Sequence, residues 1–270
     1  MLASFLITFR EGLEAFLIVG IILSYLGKLK VPQYNKYIYL GVSLGLIVSL
    51  VVAYIFQVVF YGLNEHYQHY LMIFILLFAT IVLSYMVIWM ANQSKQIKGE
   101  MEENIKQLVT TGNIAGMVFL AFLAVLREGF ESVLFFSSLS LEVEITLQEG
   151  LTGAILGLVL SIILVYSLMK GAKNIPLKEF FKYTGLLILI IAGGLFGSSI
   201  SMMQASGIVP IFIQEVYNIS YILDDRGVFG TFLRALFGYN SSPTLLHLLS
   251  WGFYMLMAIT LWKRTYAYAK

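Results

Sequence analysis

Apolar segments long enough to cross a bilayer recur along the whole chain, and no other feature restricts its fold so strongly. A spanning helix needs roughly 20 apolar residues, at about 1.5 Å rise, to cross a hydrocarbon core of about 30 Å. The segments Leu2 to Gly27, Tyr37 to Phe60, Tyr70 to Ala91, Ile114 to Leu139, Leu147 to Met169, Phe180 to Met203 and Leu245 to Trp262 all qualify. Each is expected to be helical, because lipid leaves backbone groups no other partners and the runs are too long for barrel strands. The expected fold class is therefore an all-α integral membrane protein with seven transmembrane helices. Composition agrees: 59% of the residues are hydrophobic and 12% charged, against about 25% charged in soluble domains. No Ser/Pro-rich linker interrupts the chain, so one membrane domain over 1–270 is expected. The opening MLASFLITFREGLEAFL has no basic region before its apolar run and holds Arg10 and Glu11 within it. It reads as a retained first span rather than a cleaved signal peptide.

Lys and Arg placement gives an orientation. The loops after spans one, three and five, with the C-terminal tail, carry Lys28, Lys30, Lys36, Lys95, Lys98, Lys106, Lys170, Lys173, Lys178, Lys182, Lys263, Arg264 and Lys270. The opposite loops carry Arg226 and Arg234. This bias puts the N-terminus outside and the C-terminus inside. The outer face then gathers Glu65, Glu142, Glu144, Glu149, Glu215, Asp224 and Asp225, with His66, His69 and His247, and suits cations. Between spans three and four, Ile97, Met101, Ile105 and Leu108 form a helical stripe amid Lys and Glu. It fits a short amphipathic helix on the cytoplasmic surface or an ordinary solvated linker helix.

The chain repeats itself. FREGLEAFL from Phe9 to Leu17 returns as LREGFESVL from Leu126 to Leu134, and GVSLGLIVSLVVAY from Gly41 to Tyr54 returns as GAILGLVLSIILVY from Gly153 to Tyr166. An odd number of spans separates the copies, so they have inverted topology, a recurring transporter plan with binding near the midplane. The expected layout is repeat one at about 1–92, a cytoplasmic linker at about 93–112, repeat two at about 113–204, an outer loop at about 205–243 and a seventh helix at about 244–264.

Each first copy places an Arg and two Glu inside a span: Arg10, Glu11 and Glu14, then Arg127, Glu128 and Glu131. An ionisable side chain at that depth costs about 2.5 to 3.5 kcal/mol on insertion scales, so the set is expected to be functional. The glutamates are three apart and share a helix face, and each Arg reaches the second Glu four residues on. If the two helices cross at this level, Gly12 and Gly129 would let their backbones approach and bring four carboxylates around one point. Four Glu against two Arg leave a formal charge of −2, which calls for a multivalent cation. Carboxylate oxygens are hard ligands suited to Mg²⁺, Ca²⁺, Mn²⁺ and Fe³⁺, and the residues alone do not choose among these. The absence of cysteine excludes disulfides, thiolate metal sites and Cys-ligated iron–sulfur clusters.

With REGLE at Arg10 to Glu14 and REGFE at Arg127 to Glu131, the sequence resembles the oxidase-dependent iron permease family, which comprises yeast-type high-affinity iron permeases and bacterial EfeU. ISYILDDRGVFGTFLRALFGYNSSPTLLHLL in the last outer loop also looks like the bacterial pattern. The resemblance implies a permease, not an enzyme, passing ferric iron across the cytoplasmic membrane with Glu11, Glu14, Glu128 and Glu131 as ligands and Arg10 and Arg127 in support. It also implies a separate outer-face oxidase or peroxidase and an iron-binding component as partners. Iron would be transported substrate, with no tightly bound cofactor and no nucleic acid; homo-oligomerisation stays open.

Asp224 and Asp225 are candidates for first contact with the ion, as are Glu65, His66 and His69, with solvated polar loops as the competing reading. Tyr54 and Tyr166 could reach the glutamates, although packing explains them more simply. Two alternative functions are a divalent manganese, ferrous or zinc carrier and a membrane electron-transfer subunit. Against the second, no span holds a mid-membrane His for haem.

Overall fold

The structure is a computed structural model that describes residues 2–93, 97–142, 147–169, 177–225 and 227–268. Every segment expected to span is helical: α1 (Leu2–Lys28), α2 (Asn35–Gly62), α3 (Glu65–Gln93), α5 (Ile114–Glu142), α6 (Leu147–Met169), α7 (Leu177–Ala205) and α9 (Leu245–Tyr268). Two shorter helices join them, α4 (Ile97–Thr110) and α8 (Val228–Phe237), and the described residues contain no strand. Five of the helical stretches, at Pro32–Gly62, His66–Met90, Gly150–Leu168, Phe181–Ala205 and Leu245–Tyr266, are long and apolar enough to cross a membrane. The remaining long helices, α1 and α5, span 27 and 29 residues, and each carries an Arg and two Glu in its interior. Of the charges used for orientation, Lys95, Glu144, Lys170, Lys173, Arg226 and Lys270 lie outside the described residues.

The chain forms two compact units: Met1–Val58 with Gln93–Val133 and Thr146–Pro176, and Val59–Asn92 with Leu134–Ile145 and Leu177–Lys270. In the first unit α1 packs along α6, and α2 lies on α5. Small residues allow the close approach. A Cβ on Gly45 of α2 would stand 3.0 Å from the Phe122 carbonyl oxygen, and one on Gly157 of α6 would stand 2.6 Å from the Phe5 carbonyl oxygen. Backbone therefore rests nearly on backbone, a packing that gains dispersion contacts where lipid provides no hydrophobic drive.

Part of the stripe on the linker points into the protein, and the Ile97 side chain lies outside what is described. Ile105 of α4 is buried in a cluster with Ile22 and Leu26 of α1, Ile38 of α2, and Met117 and Ala121 of α5. Leu108 and Val109 pack against its margin. The amphipathic face is thus turned onto the helix ends, with Glu103 and Lys106 exposed on the opposite side.

In the second unit α7 packs with α9 and α8. Ser84 of α3 shares a hydrogen bond with the Tyr254 hydroxyl of α9, and Thr80 Oγ1 lies 3.3 Å from the Ala192 carbonyl oxygen of α7. The segment 205–243, expected as a loop, contains the ten-residue α8. That helix ends at Gly238, whose left-handed φ of +64° lets its N–H cap the Arg234 carbonyl at 3.0 Å. Gly238 also lies directly against Gly194 of α7, where a Cβ on either would collide with the other's backbone.

Candidate metal site

Both charged motifs fall within the first unit. Glu11, Glu14, Glu128 and Glu131 are all buried, at 3, 4, 3 and 8% exposure, as expected for side chains set in the middle of long apolar helices. One carboxylate oxygen from each of Glu11, Glu128 and Glu131 lies within 4.8 Å of the others. One oxygen of each of these three residues, Oε2, has no hydrogen-bond partner among the described residues. Buried unsatisfied acceptors are costly, and three neighbouring carboxylates that each keep one offer hard donors to a cation.

Glu14 stands outside that triangle. Its Oε1 lies 2.8 Å from Arg10 Nη2, while Arg10 Nη1 donates to Glu11 Oε1 at 2.8 Å. Arg10 is 2% exposed and thus clamps the two glutamates of its own helix inside the protein. Its counterpart differs. Arg127 donates through Nε to Glu131 Oε1 at 3.0 Å and lies 3.8 Å from Glu128, but its side chain is 36% exposed. The sequence copies match, yet one guanidinium is sealed in and the other reaches the surface.

The motif glycines have other partners than expected. Gly12 does not meet Gly129. Gly12 faces Ser161 of α6, whose Oγ a Cβ there would approach to 2.6 Å, and Gly129 faces Ser49 of α2, whose Oγ a Cβ would strike. Ser49 and Ser161 occupy equivalent positions in the repeated segments. Their hydroxyls bond back to the Gly45 and Leu158 carbonyls at 2.8 and 2.7 Å. Sequence reading saw the shared register of these serines but not their place, because a repeat in one helix does not say which neighbour it will touch. Tyr54 and Tyr166 are 68 and 58% exposed, which does not favour a bond to the buried glutamates.

The outer candidates belong to the second unit. His66 and His69 are exposed in the first turn of α3, and His66 packs edge-on against Tyr70 with ring centroids 5.0 Å apart. The Glu65 side chain lies outside what is described. Asp224 is exposed; Asp225 is half-buried and lines a cavity of about 300 Å³ in the second unit with Arg234, Tyr239 and His247. His247, unassigned by sequence beyond its side of the membrane, is buried, with Nδ1 2.7 Å from Ser201 Oγ.

Comparison with known proteins adds the biological context. No solved structure matches the chain. It is similar to a protein of Yersinia pestis named "Ferrous iron permease EfeU", with 33% identity over 97% of this chain and 93% of that one. Proteins of the same name from Yersinia pseudotuberculosis serotype I and Escherichia coli O6:K15:H31 are 33 and 31% identical, over 95 and 96% of this chain and 90 and 94% of theirs. Residues 1–268 match the iron permease FTR1 family. The chain is a multi-pass protein of the cytoplasmic membrane, and it belongs to the iron permease FTR1 family.

Proposed function

We propose that this chain carries ferric iron into the cytoplasm through Glu11, Glu128 and Glu131, with Glu14, Arg10 and Arg127 setting the charge around them. The observation that carries this reading is the triangle of buried carboxylate oxygens within 4.8 Å, each residue with an unpartnered oxygen among the described residues. Carboxylates this close repel one another unless a cation or protons lie between them. A hard multivalent ion satisfies all three.

In this reading all seven long helices span the bilayer, with the N-terminus outside, and the chain comprises two inverted three-helix repeats plus a seventh helix. α1 and α5 count as spans because their charges are paired within the protein. The pairing of α1 with α6 and of α2 with α5, with Ser161 and Ser49 on the two motif glycines, is what an inverted repeat would produce. An outer-face oxidase or peroxidase would present the iron as Fe³⁺, and Asp224 and Asp225 are placed in sequence to meet it.

A second reading, a divalent carrier, is favoured by the name of the similar Yersinia and Escherichia proteins, which specifies ferrous iron. Radioactive iron uptake into proteoliposomes, measured with Fe³⁺ and separately with Fe²⁺ held reduced, distinguishes the two. Glu11→Gln and Glu128→Gln should each lower uptake at least tenfold while inserting normally. Wild-type uptake in both would remove this site from the path.

A further inference from the structure

One face of α1 changes character at the carboxylates. Ser4, Thr8 and Glu11 recur at three- and four-residue intervals, so they share a side of the helix, and the same side continues through Ile18, Ile22 and Leu26. Before Glu11 that side is polar and buried: Thr8 bonds to the Ser4 carbonyl at 2.8 Å, and Ser4 Oγ has no hydrogen-bond partner among the described residues. Beyond Glu14 it is wholly apolar.

On α5 the order reverses, since Met117 and Ala121 precede Glu128. These residues nevertheless join Ile22 and Leu26 in one cluster, so α1 and α5 meet at two levels, carboxylates at one and hydrocarbon at the other. Eight residues separate Glu14 from Ile22, about 12 Å at helical rise. Under the orientation proposed above, the apolar level is the cytoplasmic one. Ile22, Leu26, Ile38, Ile105, Met117 and Ala121 are each at most 2% exposed, so this level is a dry plug, and hydrophobic constrictions of that kind hold back ions by excluding water.

Ile105 differs from its companions in what carries it. The other five belong to long helices, whereas α4 is a 14-residue surface helix of mostly charged and polar residues. It is held by Ile105, by the half-buried Leu108 and Val109, and by a loose Lys28–Glu102 ion pair at 3.8 Å with the lysine largely exposed. Its C-terminal end turns at Gly112, in the left-handed region at φ +62°. The weakest-held part of the plug is therefore the part that can leave without moving a spanning helix.

We propose that α4 is the inner gate of the permeation path and Ile105 its stopper: iron leaves the carboxylates for the cytoplasm when α4 lifts away from α1. This rests on the carboxylate triangle being the cation site.

The chain has no cysteine, so the double variant Lys28→Cys/Glu102→Cys holds two thiols only, placed where the ion pair now bridges α1 and α4. Joining them with a short bis-thiol cross-linker should cut iron uptake into proteoliposomes at least tenfold and leave iron binding by the detergent-solubilised protein unchanged. Each single-cysteine variant should keep its uptake after the same treatment. Uptake unaffected by the cross-link overturns the gate. A second measurement does not depend on the double variant's activity: in Ile105→Cys, labelling by an impermeant maleimide from the cytoplasmic face should quicken severalfold during iron transport, and a rate indifferent to iron also overturns the proposal. The two ideas fail separately. If Glu11→Gln and Glu128→Gln transport like wild type, the site is wrong; if they fail to transport but the cross-link changes nothing, only the gate is.

Discussion

Ser161 Oγ occupies the space that a side chain on Gly12 would need, so the helix bearing one charged motif is seated on a serine more than a hundred positions away in the chain. Gly12→Ala should therefore overpack the α1–α6 contact, at about 1–3 kcal/mol. Ser161→Ala in the same chain should return most of that loss, because it removes the atom in conflict. Thermal unfolding of the two single variants and the double variant in detergent measures the coupling; additive losses would show that the contact is not what Gly12 protects.

The two arginines should respond unequally. Arg10 is enclosed and bonded to Glu11 and Glu14, so Arg10→Gln leaves buried carboxylates short of a counterion and should cost about 3–5 kcal/mol. Arg127 is 36% exposed and its pair is less enclosed, so Arg127→Gln should cost less than Arg10→Gln. Midpoints of thermal unfolding for the purified variants check the order, and equal losses would contradict it.

Among the glutamates, the geometry predicts a division of labour. Glu128→Gln removes a corner of the triangle and should weaken cation binding at least tenfold, whereas Glu14→Gln removes a group committed to Arg10 and should weaken it only a few-fold. Binding of Mn²⁺ followed by electron paramagnetic resonance, or of iron by titration calorimetry, reads the difference directly.

His247→Ala should destabilise the second unit without altering the cation site. It deletes the bond to Ser201 and opens space against Gly197, where a Cβ would stand 3.0 Å from the ring. Losing a buried partner of this kind costs about 1–3 kcal/mol. A lowered unfolding temperature with unchanged iron affinity is the expected pair of results.

The long helices were legible because uninterrupted apolar runs admit no other structure in lipid, and the structure places a helix over each expected segment. The motif glutamates were legible for the opposite reason: charge at those positions needs an explanation. What the sequence hid was pairing. Gly12 and Gly129 were matched to each other because both sit in crossing motifs, but which helix fills a small-residue notch depends on the whole arrangement. Tyr54 and Tyr166 were weighed as partners of the glutamates or as packing residues; both are largely exposed, and an aromatic side chain is as comfortable against lipid as against protein. α8 was overlooked as loop. Its largely apolar FLRALF run, with Arg234 in the last turn and Gly238 closing it, was the available signal, masked by the turn-forming residues around it.

The way α1 is seated also bears on how the chain is made. Glu11 finds Glu128 and Glu131 on α5, and Gly12 finds Ser161 on α6. Neither helix exists when α1 leaves the ribosome. At about 5–20 residues per second, the partners follow on the order of ten seconds later. Throughout that interval Arg10, lying against both glutamates of its own helix, offsets one of their two charges and travels with the nascent span. The ion pairs of Arg10 need nothing outside α1, whereas the other contacts of these acidic side chains await the second half of the protein.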